Sequence, residues 1–138
     1  STKGRYALRV MIDLAEHQGE GYLPLRDIAR RQDISEKYLE SILKSLVRGH
    51  LIEGMRGKGG GYRLVRDAER QTVGEVLRLT DGPLAPVAGL DDPEEFRMSE
   101  QRCYEMWAKL DTLITDYLDG ITIGDLAVPN LVGNDYVI

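Results

Sequence analysis

The chain has 138 residues, 42% hydrophobic and 30% charged, the balance of an ordinary soluble globular protein. That length holds one domain or a small domain with an added helical segment, and no apolar run approaches the roughly 20 residues that cross a bilayer. The net charge of −5 is unevenly spread: residues 1–70 carry 14 Lys and Arg against 10 Asp and Glu, and residues 71–138 carry 4 against 13. A basic first half joined to an acidic second half points to a polyanion-binding module followed by a segment with another role. No basic-then-apolar signal segment opens the chain. The single cysteine, Cys103, cannot close an internal disulfide, so the expected compartment is the cytoplasm.

In chain order, "STKGRYALRVMIDLAEHQGEG" has a helical pattern, with Tyr6, Val10, Ile12 and Leu14 on a broad buried face and Gly19 and Gly21 as stops. "YLPLRDIARRQDIS" carries a short second helix that Pro24 can open, with Leu25, Ile28 and Ala29 inward. Asp33-Ile34 makes a tight turn, and Ser35 N-caps "EKYLESILKSLVRGH", whose apolar stripe is Leu39, Ile42, Leu43 and Leu46. Two short helices joined by a three- or four-residue turn form a helix-turn-helix, in which the second helix usually reads DNA. "HLIEGM" and "GYRLVR" are strand-like runs around a glycine loop and read as a hairpin. The expected fold is therefore mainly α with a small β-hairpin, a winged helix-turn-helix.

Thr72 to Glu75 has the spacing of a capping box opening a further helix, and "PLAPVAGLDDPEE" is a loop. A long helix is expected from Phe96 to about Gly120. Phe96, Cys103, Leu110 and Tyr117 recur every seven residues, Trp107, Ile114 and Ile121 form a complementary row, and Met106 and Leu113 widen the stripe. After a compact winged helix, such a stripe is expected to bury itself on a second copy of the chain. Thr122 opens a short final helix by the same capping spacing. The expected divisions are 1–80 for the DNA-binding domain, 81–95 for a linker, 96–128 for the dimerisation and final helices, and 129–138 for a tail.

The stretch "GMRGKGGGYRL" invites a nucleotide-loop reading, which its chemistry does not support. A Walker-type loop needs a Gly-Lys-Ser/Thr ending before a helix, and strand-like residues follow here instead. A dinucleotide fingerprint would need its third glycine where Tyr62 stands. A hairpin turn alone needs only one or two glycines. Arg56, Gly57, Lys58, Gly59 and Gly60 thus read as a DNA-touching wing tip, whose glycines let the backbone approach a narrow groove and whose cations suit one. On the third helix, Ser35, Glu36, Lys37, Tyr38 and Glu40 offer hydroxyls, a cation and carboxylates for phosphates or base edges. At the start of the chain Lys3, Arg5 and Arg9 add charge suited to backbone phosphates, next to Thr2 and Tyr6. No triad or paired-acid arrangement has supporting context, so no enzymatic activity is expected.

Lys3-Gly4-Arg5-Tyr6, Tyr38-Leu39-Glu40, Arg56-Gly57 and Gly60-Gly61-Tyr62, within "PLRDIARRQDISEKYLESILKSLVRGHLIEGMRGKGGGYRL", "TVGEVLRLTDGP" and "ITIGDLA", resemble the Rrf2 family of bacterial winged-helix regulators over nearly the whole chain. The resemblance implies a homodimer crossed through the long helix and an inverted-repeat operator in double-stranded DNA. It also implies base or backbone contacts from Ser35, Lys37, Tyr38 and Glu40, with the wing arginine, Arg56, entering the minor groove. Some branches hold an iron–sulfur cluster on three cysteines in and after the loop. This chain has one cysteine, near but not at the matching position, and His17 and His50 lie far from it in sequence. No cofactor is therefore expected, and Cys103 reads as a small buried hydrophobe on the apolar row.

The cluster-less branch, which represses cysteine metabolism, is the better match. That branch senses cysteine supply through O-acetylserine thiol-lyase (cysteine synthase). Asp135, Tyr136, Val137 and Ile138 are similar to tails that place an isoleucine carboxylate in that enzyme's substrate site, where backbone N–H groups can capture it. Two other readings compete: a cluster-sensing regulator, and an interaction protein whose main partner is a metabolic enzyme.

Overall fold

The computed structural model describes residues 1–128. Helix α1 (Thr2–Glu16) buries Ala7, Val10, Met11 and Leu14, one face at i, i+3, i+4 and i+7. Helix α2 (Leu25–Gln32) ends where Asp33 takes a left-handed conformation, φ 52°. Helix α3 (Glu36–Arg48) begins at Ser35, whose hydroxyl accepts from the Tyr38 N–H at 3.1 Å and satisfies one of the four donors a helix start leaves open. It buries Leu39, Ile42, Leu43 and Leu46. These side chains and those of α1 form one core together with Ile28, Leu51, Ile52 and Leu64.

Strand β1 (Ile52–Met55) pairs antiparallel with β2 (Gly61–Leu64), in the register Ile52 to Leu64 and Met55 to Gly61. Leu23 adds a single rung beside β2. Its N–H donates to the Tyr62 carbonyl at 2.8 Å and its carbonyl accepts from the Tyr62 N–H at 2.9 Å. The hairpin is thereby pinned to the chain two residues ahead of α2. Helix α4 (Val73–Asp81) starts with the expected capping box: the Glu75 N–H donates to the Thr72 hydroxyl at 3.1 Å, and the Thr72 N–H donates to the Glu75 carboxylate at 3.3 Å.

Helix α5 (Gln101–Asp119) is followed by the single turn α6 (Ile123–Leu126), opened by a second capping box between Thr122 and Asp125. This turn folds back onto the first half of the chain. Ile123 is buried in the core, its N–H donates to the Gln71 carbonyl at 2.8 Å, and the Val73 N–H donates to the Ile121 carbonyl at 2.9 Å. Arg78 donates to Asp119 at 2.6 Å, joining α4 to the end of α5, and the hydrogen-bonded Asp119 carboxylate raises the Arg78 guanidinium above its usual range. The lower end of α5 is therefore fixed to the winged-helix body.

The upper end departs from the sequence expectation. The long helix begins at Gln101, not Phe96, after short 3-10 turns at Pro93–Glu95 and Met98–Glu100. The Gln101 side-chain amide donates to the Phe96 carbonyl at 2.8 Å, and the Glu100 N–H donates to Arg97 at 2.7 Å. An α-helix would have spent that Phe96 carbonyl on the Glu100 N–H. Phe96 instead packs its ring edge-on against Tyr104, with centroids 5.1 Å apart.

Candidate nucleic-acid interface

Two elements flank the open side of α3. The start of α1 touches it through Lys3, whose ammonium donates to the Ser45 hydroxyl at 2.9 Å, and through Tyr6, whose ring meets Tyr38 edge-on at 5.6 Å. The wing lies along its second half, separated by an open groove of about 620 Å³. Leu25, Val47, Met55 and Tyr62 give the groove apolar walls, and Lys44, Arg48 and Arg56 supply its cations.

The predicted contact residues divide by exposure. Thr2, Arg5, Ser35, Glu36, Lys37, Glu40, Arg56, Gly57, Lys58 and Gly59 are open to solvent. Lys3, Tyr6, Tyr38 and Gly60 are half-buried; Lys3 and Tyr6 brace α1 against α3. Among the described residues, Arg5, Lys37, Arg48, Arg56 and Lys58 have no carboxylate within ion-pair distance. Arg31, Arg63 and Arg66 hold Asp13, Glu53 and Glu75 respectively. A cation without an intramolecular partner loses nothing but water when it meets a phosphate, which suits this surface to a polyanion.

The wing glycines have more than one reason to be glycine. Gly57 and Gly59 have φ of 90° and 80° and face open space, as a tip approaching a groove requires. Gly60 and Gly61 are fixed from inside: a Cβ there would lie 2.2 Å from the Met55 carbonyl oxygen and 2.2 Å from the Leu23 carbonyl oxygen. The expectation that a turn alone could not account for three consecutive glycines is corrected accordingly, because two of them make room for the hairpin's own backbone and for the Leu23 rung.

Lys44 and Arg48 were missed as part of this surface. Glu40, Lys44 and Arg48 recur every four residues on the open side of α3, which is the signal that places them on one face. Lys44 lies 3.5 Å from Glu40, both largely exposed.

The predicted dimer stripe separates into two faces. Cys103 is exposed in the single chain, as a position on a stripe expected to be covered by a second copy would be. With Met106, Leu110, Leu113 and Tyr117, 53%, 38%, 57% and 69% exposed, it forms an open strip with 3-4-3-4 spacing. Trp107, Ile114 and Ile121 are half-buried, and Ile121 packs with Leu118 against the chain's own core. Phe96 lies off the helix, against Tyr104. Asp135, Tyr136, Val137 and Ile138 lie outside the described residues.

The pattern of the Rrf2 family, described as iron-dependent transcriptional regulators, matches residues 1–129. The chain belongs to the Rrf2 family. It is 38% identical over 127 residues to the HTH-type transcriptional regulator CymR of Bacillus subtilis, covering 92% of this chain and 88% of that protein. It is 39% identical over 134 residues to the regulator IscR of Aliivibrio salmonicida, covering 96% and 79%. Among solved structures it superposes on CymR, the global cysteine regulator of B. subtilis, with a TM-score of 0.77 at 37% identity, covering 92% of this chain and 94% of that one. Staphylococcus aureus CymR gives a TM-score of 0.71 at 34% identity, covering 97% and 100%. This Rrf2 chain is thus a winged-helix transcriptional regulator.

The family's iron chemistry meets a poor donor set in this member. Cys103 is its one thiol, and no group of three His, Cys, Asp or Glu side chains among the described residues is placed to hold a metal. The His17 Nδ1 is 2.8 Å from the Asp13 carbonyl, on the far end of α1 from Thr2. An iron–sulfur cluster normally takes several cysteine thiolates, so these residues do not fit one.

Proposed function

We propose that the chain acts as a homodimeric repressor that binds an inverted-repeat operator, with α3 in the major groove and the wing in the flanking minor groove. The observation that carries this reading is the set of open, carboxylate-free cations at the α1 start, the α3 face and the wing, contiguous around a helix-turn-helix. Glu36 and Glu40 suit cytosine N4 and repel wrongly placed phosphates, so they sharpen choice at some cost in affinity. The strip Cys103, Met106, Leu110, Leu113 and Tyr117 supports the dimer, since about 28 Å of helix otherwise leaves a continuous apolar seam in water.

The regulated process in this proposal is cysteine and sulfur metabolism, without a cluster and without catalysis. It is supported by the similarity to CymR and by the single thiol. The signal would come through cysteine synthase, engaged by residues 135–138, a proposal supported by the resemblance to the cluster-less branch and by the isoleucine carboxylate that ends the sequence. The protein is expected in the cytoplasm with its DNA.

A genomic binding map with the full chain, paired with a pull-down using full and Val137-Ile138-deleted protein, tests both levels. Enrichment of inverted repeats beside sulfur-metabolism genes is expected, with cysteine synthase captured only by the full chain. Enrichment elsewhere overturns the pathway, and equal capture by the two forms overturns the tail. A protein purified without air that carries visible charge-transfer absorption would restore the cluster reading.

A further inference from the structure

Arg9 stands where three parts of the fold meet. Its Nη2 donates to the Gln32 main-chain carbonyl, and its Nε donates to Gln32 Oε1 at 3.2 Å. It therefore grips the last residue of α2, at the entrance to the turn that leads into α3. The Gln32 side chain is held from behind, since its Nε2 donates to Asp13 Oδ2 at 2.8 Å. Asp13 is 1% exposed and also accepts from Arg31 at 2.7 and 3.0 Å. That pairing raises the Arg31 guanidinium above its usual range, mainly through the hydrogen bond.

On its other side Arg9 meets the Tyr6 ring, which in turn touches α3. Its guanidinium carbon lies 4.9 Å from the Tyr6 ring centroid, and the Tyr6 ring packs edge-on against Tyr38. Tyr38 is in the first turn of α3, and its N–H is the one Ser35 caps. One chain of contacts thus runs from a buried carboxylate, through Arg9, to the turn that presents Ser35, Lys37 and Glu40. With Thr2, Arg5 and Tyr6, Arg9 also lines a notch of about 140 Å³. Those four residues share one side of α1, at i, i+3, i+4 and i+7. Neither Arg5 nor Arg9 has a carboxylate within ion-pair distance among the described residues.

We propose that this notch takes one phosphodiester group of the DNA backbone, and that Arg9 is the positioning residue that ties this contact to the orientation of α3. The inference rests on the DNA-binding reading above. Its notch is too small for a nucleotide, and its two guanidinium groups and hydroxyl match a tetrahedral oxyanion. With Nη2 and Nε committed to Gln32, the guanidinium is held in one plane and presents Nη1 at little further entropic cost. Backbone contacts carry no sequence information directly. Arg9 differs because any shift in it moves Gln32 at one end of the turn and Tyr6 against Tyr38 at the other.

The test uses the full chain, a duplex that the wild-type protein selects from a random pool, and a scrambled duplex of equal length. Binding to both is followed by anisotropy across a chloride series. Arg5→Ala should lower the salt slope by about one and weaken both duplexes alike. Arg9→Ala should lower the slope by a similar amount and also cut the ratio of selected to scrambled affinity by about tenfold. Arg9→Lys should restore the slope but not the ratio, because an ammonium supplies charge without the planar fork. Arg102→Ala, an exposed site on α5, should change neither.

If Arg9→Ala behaves like Arg102→Ala while the wild type keeps a steep slope, the notch is overturned and the DNA reading stands. If Arg9→Lys restores the ratio as well, the positioning role is overturned. If inorganic phosphate displaces the selected duplex better than chloride at equal ionic strength, and Arg5→Ala abolishes the difference, the notch is a free-anion site and the backbone assignment fails. A wild-type chain without salt-dependent binding to any duplex removes the DNA reading itself.

Discussion

Helices α3 and α5 are both amphipathic, yet they use their apolar faces in opposite ways. In 13 residues α3 buries four large side chains, Leu39, Ile42, Leu43 and Leu46, inside its own chain. In 19 residues α5 buries none. The first helix belongs to a finished core, and its polar face is free to read a ligand. The second spends one flank on α4 and leaves a regular strip facing outward. Amphipathicity alone did not distinguish these cases. What decides is whether the same chain supplies enough elements to cover the stripe.

The largest effect expected on this contrast comes from the core of α3. Ile42→Ala should cost about 3 kcal/mol in urea unfolding, from lost transfer energy and the cavity left among Ile28, Leu39 and Leu46. DNA binding and dimerisation should fall together because the scaffold is lost. On α5, Leu113→Glu should leave the winged-helix core folded and act on association, weakening the proposed dimer by about 3 kcal/mol, roughly 100-fold. Sedimentation should then show monomers at micromolar concentration with unchanged near-ultraviolet circular dichroism. If Leu113→Glu unfolds the monomer instead, the open strip packs within the chain and the contrast collapses.

A smaller effect is expected on the wing. Arg56→Ala should weaken the selected operator by about 1–2 kcal/mol, near tenfold, with no change in melting temperature, because Arg56 holds no other charge among the described residues. Unchanged affinity would reduce the loop to a turn. Glu40→Ala should shift relative affinities across operator variants more than it shifts the best one, since a misplaced carboxylate penalises wrong bases. A binding profile that keeps its rank order would remove that role from Glu40.

Local chemistry was legible in the sequence, and distant chemistry was not. Ser35, Thr72 and Thr122 were identified as caps because a cap needs only its next few residues, and all three accept the expected N–H. The start of α5 was misplaced because seven-residue spacing continues back to Phe96, whereas the helix stops where Gln101 takes the Phe96 carbonyl. The wing glycines at 60 and 61 answer partly to Leu23, far back in the chain, and the Arg9 contact to Gln32 spans 23 positions. The division of the α5 stripe required α4 and the core beneath Leu118 and Ile121 to be in place. The proposed DNA-facing surface was named from motif and resemblance, but its groove cations Lys44 and Arg48 needed the wing set beside α3.

The finest distinction concerns Lys44, which lies between the two uses of α3's polar face. In the free protein it sits 3.5 Å from Glu40, an exposed i, i+4 pair worth about 0.3–0.5 kcal/mol. It also lines the groove beside Arg48 and Arg56. If Lys44 only steadied the helix, Lys44→Ala would lower stability by that small amount and leave binding alone. If the groove follows a DNA backbone, the same change should also reduce the salt slope by about one and weaken selected and scrambled duplexes equally. It should leave the operator rank order proposed to depend on Glu40. A changed rank order with an unchanged slope would mean that Lys44 works by holding Glu40, and that the groove between α3 and the wing carries no phosphate.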